Sequence, residues 1–224
     1  MNGITLSLPL PSDVPANVGA ICVAERLRLY SGQLAALAIF TALSPLLLLL
    51  AWVISRDGSP ATFAHYRVGC DGRLFRCIKF RTMRPDAERA LGALLARSPA
   101  LREEWERDQK LVDDPRVTRV GRWLRRSSLD ELPQLINVLL GEMALVGPRP
   151  ITVPELRRYG AARWKYLSVL PGMTGLWQVS GRNWTSYERR VELDQLYVKN
   201  RSAWLDCKIL AKTFKVVITH HGAC

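Results

Sequence analysis

Acidic residues are in short supply: 20 Asp and Glu stand against 32 Lys and Arg in 224 residues, a net charge of +12 with a pI near 10.0. Such a chain seeks anionic partners, whether phosphates, nucleic acid or acidic lipid. Paired cysteines are missing. Cys22, Cys70, Cys77, Cys207 and Cys224 are odd in number and far apart, with no CxxC spacing, so neither a disulfide framework nor a zinc site is supported. They read as reduced thiols facing the cytoplasm. Histidine is scarce: His65 reads as structural, His220 and His221 as tail residues. Internal repeats and low-complexity tails are absent, and 48% hydrophobic against 23% charged residues argues against global disorder.

Charge is absent altogether between Arg28 and Arg56. Within that gap the stretch 34–54, LAALAIFTALSPLLLLLAWVI, is apolar apart from Thr41, Ser44 and Pro45. As one helix it reaches roughly 30 Å, the thickness of a hydrocarbon core, so it belongs in lipid. No small-residue cleavage pattern follows it before Arg56, which argues against a signal peptide. Pro45 removes a backbone hydrogen bond at its middle, and the Ser44 hydroxyl can satisfy the freed carbonyl, so a kink is expected. Arg26 and Arg28 precede the segment and Arg56 and Arg67 follow it, and charge alone leaves crossing and returning equally open. The whole +12 lies in residues 56–224, because Asp13 and Glu25 balance Arg26 and Arg28 in the first 55.

Past the membrane segment, residues 65–83 read as two strands around Asp71-Gly72, a hairpin turn signal. Pro85 opens a helical stretch to about Lys110 with a break at Ser98-Pro99. A loop at Asp113-Asp114-Pro115 leads to short helices at 117–126 and 128–140, then to the apolar run Met143–Val146. Gly147-Pro148-Arg149-Pro150 is too rich in Pro and Gly for regular structure. After a loop at 171–183, helices are expected near 185–199 and 203–219. The expected fold is α+β and mostly helical, a compact domain with a small sheet.

Arg116, Arg119, Arg122 and Arg125 recur every three residues, with Arg126 beside the last, so most of them should line one side of a short helix. Such a stripe suits acidic headgroups or solvent. Immediately after it, Ser127-Ser128-Leu129-Asp130-Glu131 sets a helix-starting Ser before two carboxylates, which a first turn and nearby arginines would keep ionised. An ionised Asp can attack phosphorus, and a neighbouring Glu can hold a divalent metal; ordinary charge compensation at a helix start explains the pair equally. Lys79 and Arg81 alternate on a strand and would point to one face, as a phosphate clamp or a plain surface pair. Arg149, stiffened between two prolines, is pre-set for bidentate contact with phosphate or carboxylate. Six of the seven tryptophans, Trp105, Trp123, Trp164, Trp177, Trp184 and Trp204, lie beyond the apolar segment and suit a core and a membrane interface.

Taken in order, Ser44-Pro45 in an apolar segment, KFRTM (79–83), DPRVTRVGRWLRRSSLDELPQLINVLLGEMALVGPRP (114–150), PGMTGLWQVSGR (171–182) and LDQLYVKN (193–200) resemble the monotopic phosphoglycosyl transferases, the bacterial sugar transferase family. The resemblance runs from about residue 34 to 219, and LDELPQ with GPRP at this spacing is highly specific. The shortness of the chain and its ending SYERRVELDQLYVKNRSAWLD resemble the small galactose-1-phosphate transferases of exopolysaccharide assembly. The resemblance implies transfer of hexose-1-phosphate from a UDP-sugar to undecaprenyl phosphate, releasing UMP, as the first membrane step of polysaccharide synthesis. It implies Asp130 as the nucleophile of a covalent phosphosugar intermediate, Glu131 as a ligand of Mg²⁺, and Lys79, Arg125 and Arg149 as phosphate-binding residues. It makes residues 31–56 a re-entrant helix broken at Ser44-Pro45, with residues 1–30 a flexible segment matching nothing and 57–224 the catalytic domain. That domain would work among membrane lipids at the cytoplasmic face of the bacterial inner membrane. Galactose is the expected sugar, glucose the alternative, and direct displacement the alternative route. The family often forms dimers, so a homodimer is an expected arrangement. A membrane-anchored binder of nucleic acid or acidic lipid is the competing class; no helix-turn-helix, zinc-finger or RNA-binding signature accompanies the charge, and no nucleic-acid partner is expected.

Overall fold

The structure, a computed structural model, describes residues 23–108, 111, 113–181 and 185–219. Most of the expected flexible segment, Cys22, Cys224, Lys110, Trp184, His220 and His221 lie outside the described residues. Helix α1 (Val23–Ile54) is already formed at Val23, ahead of the expected boundary at residue 31, and it continues through Pro45 as one helix instead of breaking at Ser44-Pro45 as expected. Proline cannot bond back to Thr41, and the Ser44 hydroxyl donates to that Thr41 carbonyl at 2.8 Å instead, as the sequence suggests. Leu34, Leu37, Leu48, Leu49 and Trp52 are exposed along it, as lipid-facing residues should be.

The hairpin forms as read. Strands β1 (Thr62–Val68) and β2 (Leu74–Phe80) are antiparallel, with Asp71 (φ 54°) and Gly72 (φ 75°) turning the chain in the left-handed region. Helices α2 (Ala87–Arg97) and α3 (Pro99–Asp108) break at Ser98-Pro99 as expected. Helix α4 (Arg119–Ser127) follows, and a 3₁₀ turn, Leu129–Glu131, precedes the short α5 (Gln134–Leu139). The expected continuous helix over 128–140 is therefore two pieces.

Strand β3 (Ala144–Val146) runs parallel to β4 (Gly172–Thr174), a strand inside what reads as a loop. A Cβ at Gly172 would lie 2.0 Å from the Gly147 nitrogen, so only glycine lets these backbones meet. Helices α6 (Val153–Arg158), α7 (Arg163–Leu167), α8 (Tyr187–Asn200) and α9 (Ala203–Thr219) complete the domain.

Helix α1 is part of this domain rather than a tether. Ala36 is fully buried with Phe75, Cys77, Leu135, Val138 and Met143, and Leu47, Leu50 and Ile54 pack with Phe80 and Leu124. Near its start Arg28 donates Nε to Asp206 of α9 at 2.8 Å and Nη2 to the Tyr197 hydroxyl at 3.2 Å. Gln33 donates to the Leu139 carbonyl at 3.1 Å. At its end the Ile54 carbonyl accepts from Arg81 at 2.9 Å. Both ends of the apolar helix are thus held by one folded body.

Candidate active site

Three segments converge on the acidic pair. Strand β2 brings Lys79, the 3₁₀ turn brings Asp130 and Glu131, and the Pro148–Pro150 loop after β3 brings Arg149. Lys79 Nζ donates to Glu131 Oε1 at 2.7 Å, and Arg149 Nη2 donates to the same oxygen at 2.9 Å. Burial works to raise the Glu131 pKa, but Arg149 and Lys79 outweigh it and hold the carboxyl well below its usual range. Arg149 remains about one-third exposed, at 36%, so part of its donor fork faces outward.

Asp130 is treated in the opposite way. Its carboxylate has no hydrogen-bond partner among the described residues, and burial, helped by the Glu131 charge, pushes its pKa up to about 6 against the pull of Lys79, Arg149 and Arg125. It is still mostly ionised at neutral pH. The two carboxylates do lie in a first turn, but of a short 3₁₀ helix that follows Ser128, and not of a helix that Ser127 starts. Ser127 closes α4, with its hydroxyl donating to the Trp123 carbonyl at 2.9 Å, and Ser128 turns the chain at φ 57°. With no side-chain cap before it, the turn offers little dipole, and burial sets the Asp130 pKa.

The arginine stripe is also divided. Arg119, Arg122 and Arg126 are exposed on α4. Arg116 precedes the helix and is buried in an ion pair with Asp114 at 2.6 Å. Arg125 turns inward and donates Nε to the Thr82 hydroxyl at 3.0 Å, near enough to act on Asp130. A Cβ at Gly121 would lie 1.9 Å from the Thr82 carbonyl, so glycine is what lets α4 sit on residue 82 and aim Arg125.

Arg81 does not join Lys79. The strand ends at Phe80, and the Arg81 guanidinium donates to Asp57 at 2.7 Å, the Pro60 carbonyl at 2.8 Å and the Ile54 carbonyl at 2.9 Å. It latches the end of α1, while Lys79, Arg125 and Arg149 surround the dyad.

Two residues with structural leverage were not singled out by the sequence. Thr82 holds Arg125. Asn137, buried at 1% exposure, accepts from the Ile78 N–H at 3.0 Å and donates to the Arg76 carbonyl at 2.8 Å and Glu142 at 2.6 Å, fixing α5 to the strand that carries Lys79. A polar residue inside the apolar run LINVLL was the signal for it.

The acidic pair fits a magnesium ion of the kind that takes one or two carboxylates and completes its shell with phosphate oxygens and water. Asp130 is unpartnered, and Glu131 commits only Oε1 to Lys79 and Arg149. Among the described residues no group of three acidic, His or Cys side chains forms an all-protein cage.

A membrane-directed helix carried by an α+β domain, with a cation-ringed acidic pair beside it, describes an enzyme class that handles phosphates at a lipid surface. The chain belongs to the bacterial sugar transferase family, whose model matches residues 25–220. It is 55% identical over 180 residues to the undecaprenyl-phosphate galactose phosphotransferase of Salmonella typhimurium, covering 80% of this chain but 38% of that protein. It is 44% identical to the exopolysaccharide production protein ExoY of Sinorhizobium fredii over the full length of both chains. A glucose counterpart, the undecaprenyl-phosphate glucose phosphotransferase of Komagataeibacter xylinus, is 41% identical over 84% of this chain and 35% of its own length.

Proposed function

We propose that the protein transfers hexose-1-phosphate, with galactose the first choice of sugar, from a UDP-sugar to undecaprenyl phosphate in exopolysaccharide synthesis. The observation that carries this reading is Asp130: an unpartnered carboxylate beside a second one that two cations hold ionised. An Asp130 oxygen attacks the phosphorus that bears the sugar; the P–O bond to the uridylyl group breaks, and UMP leaves with the electron pair. The lipid phosphate then attacks the same phosphorus, and the Asp130 carboxylate leaves unchanged. Lys79, Arg125 and Arg149 hold the phosphate oxygens and offset repulsion between two anions, which is the main obstacle to the reaction. Glu131, whose Oε2 is uncommitted, would hold Mg²⁺, which supplies further charge neutralisation when bound.

The galactose phosphotransferase relative supports UDP-galactose, and the glucose relative keeps UDP-glucose as the alternative donor. A re-entrant α1, with the domain on the cytoplasmic face of the inner membrane, is part of the same reading. Its support is that Arg28 and Ile54, near opposite ends of the helix, bond to the same domain, as the two ends of a dipping helix would. A homodimer is part of the same proposal.

Intact mass spectrometry of nanodisc-held protein with UDP-galactose and Mg²⁺, without lipid acceptor, tests the reading. A hexose-phosphate adduct with UMP release, missing in Asp130→Asn, is the expected result, and a UDP-glucose arm reads the sugar. No adduct, but turnover once undecaprenyl phosphate is added, would replace the covalent route with direct displacement. Silence in both arms would overturn the transferase reading.

A further inference from the structure

A cation that the chemistry above does not use lies on α8, within electrostatic reach of Arg149. Arg190, in the first turns of α8, lies over the ring of Trp177 at 4.7 Å from its centroid. Trp177 is 8% exposed, in the turn that follows β4, so this face of the indole is fixed by the core. Arg190 Nε donates to the Thr185 carbonyl at 3.1 Å. Its Nη groups have no acceptor, and no carboxylate lies in salt-bridge range, among the described residues. Burial, and next the charge of Arg149, push its pKa down.

One oxygen of the nearby acid, Glu155, is already taken. Glu155 accepts from Arg67 at 3.1 Å and, on the same Oε2, from the Thr152 N–H at 2.7 Å. Arg158 adds a further cation, stacked on Tyr187 at 3.6 Å. A half-buried guanidinium with open donors, and with no carboxylate bonded to it among the described residues, is better satisfied when an anion completes it. A stack on a buried ring fixes the plane of the fork, which is what recognition of a tetrahedral oxyanion needs.

We propose that Arg190, planted on Trp177, is a substrate-binding residue that takes a phosphate group through its Nη donors, extending the cationic rim of the active site beyond Arg149. The inference rests on the transferase reading for the source of that phosphate, which is the UDP-sugar or the lipid monophosphate. Phosphate chemistry is common to both. Trp177 and Thr185 act as positioning residues.

The test uses the full chain in nanodiscs, with Arg190→Gln and Arg190→Lys beside wild type. KM is measured for each substrate with the other saturating, and UMP is titrated as an inhibitor. Losing a charge-assisted hydrogen bond should raise one KM about 10-fold or more while kcat changes far less, and lysine should restore part of it. A donor KM that rises together with the UMP inhibition constant assigns the nucleotide phosphates; an acceptor KM that rises alone assigns the lipid phosphate. Both KM values within twofold of wild type, or a kcat loss with KM unchanged, overturns the proposal. If Arg190→Gln does not fold, phenylglyoxal labelling of wild type decides: UMP or undecaprenyl phosphate should slow modification of Arg190 at least threefold, and no protection by either overturns it. A wild-type protein that turns over no UDP-sugar defeats the transferase reading instead, and protection of Arg190 by inorganic pyrophosphate then still decides the phosphate site.

Discussion

Two acids of this domain, the part-buried Glu131 and the buried Asp194, meet opposite fates. Glu131 sits where three segments converge and receives Lys79 and Arg149 on one oxygen. Asp194, 2% exposed on α8, lies among tyrosines: Tyr159 donates to Oδ2 at 2.7 Å, and Oδ1 has no partner among the described residues. Burial pushes Asp194 up to about 7, and the Tyr159 bond and distant Arg149 only partly counter it. Burial acts in the same direction on both acids. What separates them is whether the fold delivers a cation to the carboxylate, and it does so where phosphate chemistry is proposed. Asp130 falls between the two, near cations but bonded to none, which keeps its oxygens available.

That contrast can be broken in four ways. The largest effect belongs to Asp130→Asn, which should lower turnover by at least ~10³-fold while leaving thermal stability unchanged or improved, since an unpartnered buried charge is removed. A variant with near-normal rate would take Asp130 out of the chemistry. Glu131→Gln should cost about 10²-fold in kcat and also lower Tm, because Lys79 and Arg149 lose their shared counter-ion. An unchanged melting curve would mean that the cations, not the acid, define the site.

Asp194→Asn sharpens the other half of the contrast through pH. The unfolded carboxyl releases its proton near 3.9, whereas the folded one holds it to about 7. Stability from this group is therefore full below pH 4, falls as pH rises from 4 to 7, and is flat beyond. Denaturant melts across that range should show a decline in wild type that the asparagine variant lacks; parallel curves would refute the assignment. Smallest is Tyr159→Phe, expected to cost about 1–2 kcal/mol by leaving Asp194 without its donor, read from the denaturation midpoint.

Local features were legible in the sequence, and long-range ones less so. Asp71-Gly72 announced its hairpin because left-handed residues are written in composition. Ser44 and Pro45 announced their carbonyl rescue because both partners lie within one helical turn. The dyad and Arg149 stood out by motif and by proline flanks. Strand β4 did not, since three residues carry no period and its pairing with β3 depends on glycines some 25 residues apart. The alternation of Lys79 and Arg81 suggested a shared face, but the strand ended one residue too soon. Ser127 had the composition of a helix start, yet Gly121 and Thr118 had already begun a helix that Ser127 closes. Such competition between caps is decided by packing against Thr82, which no local window contains.

The seating of α1 bears on how the protein is made. Ala36, Leu47 and Leu50 come before every residue of the hairpin and of α4 and α5 on which they pack. During synthesis the greasy helix must therefore wait for partners translated later, with lipid as its only shelter in the interval. Membrane insertion and folding become a single event for this domain, and replacing α1 with an unrelated hydrophobic segment should anchor the chain yet leave its core open.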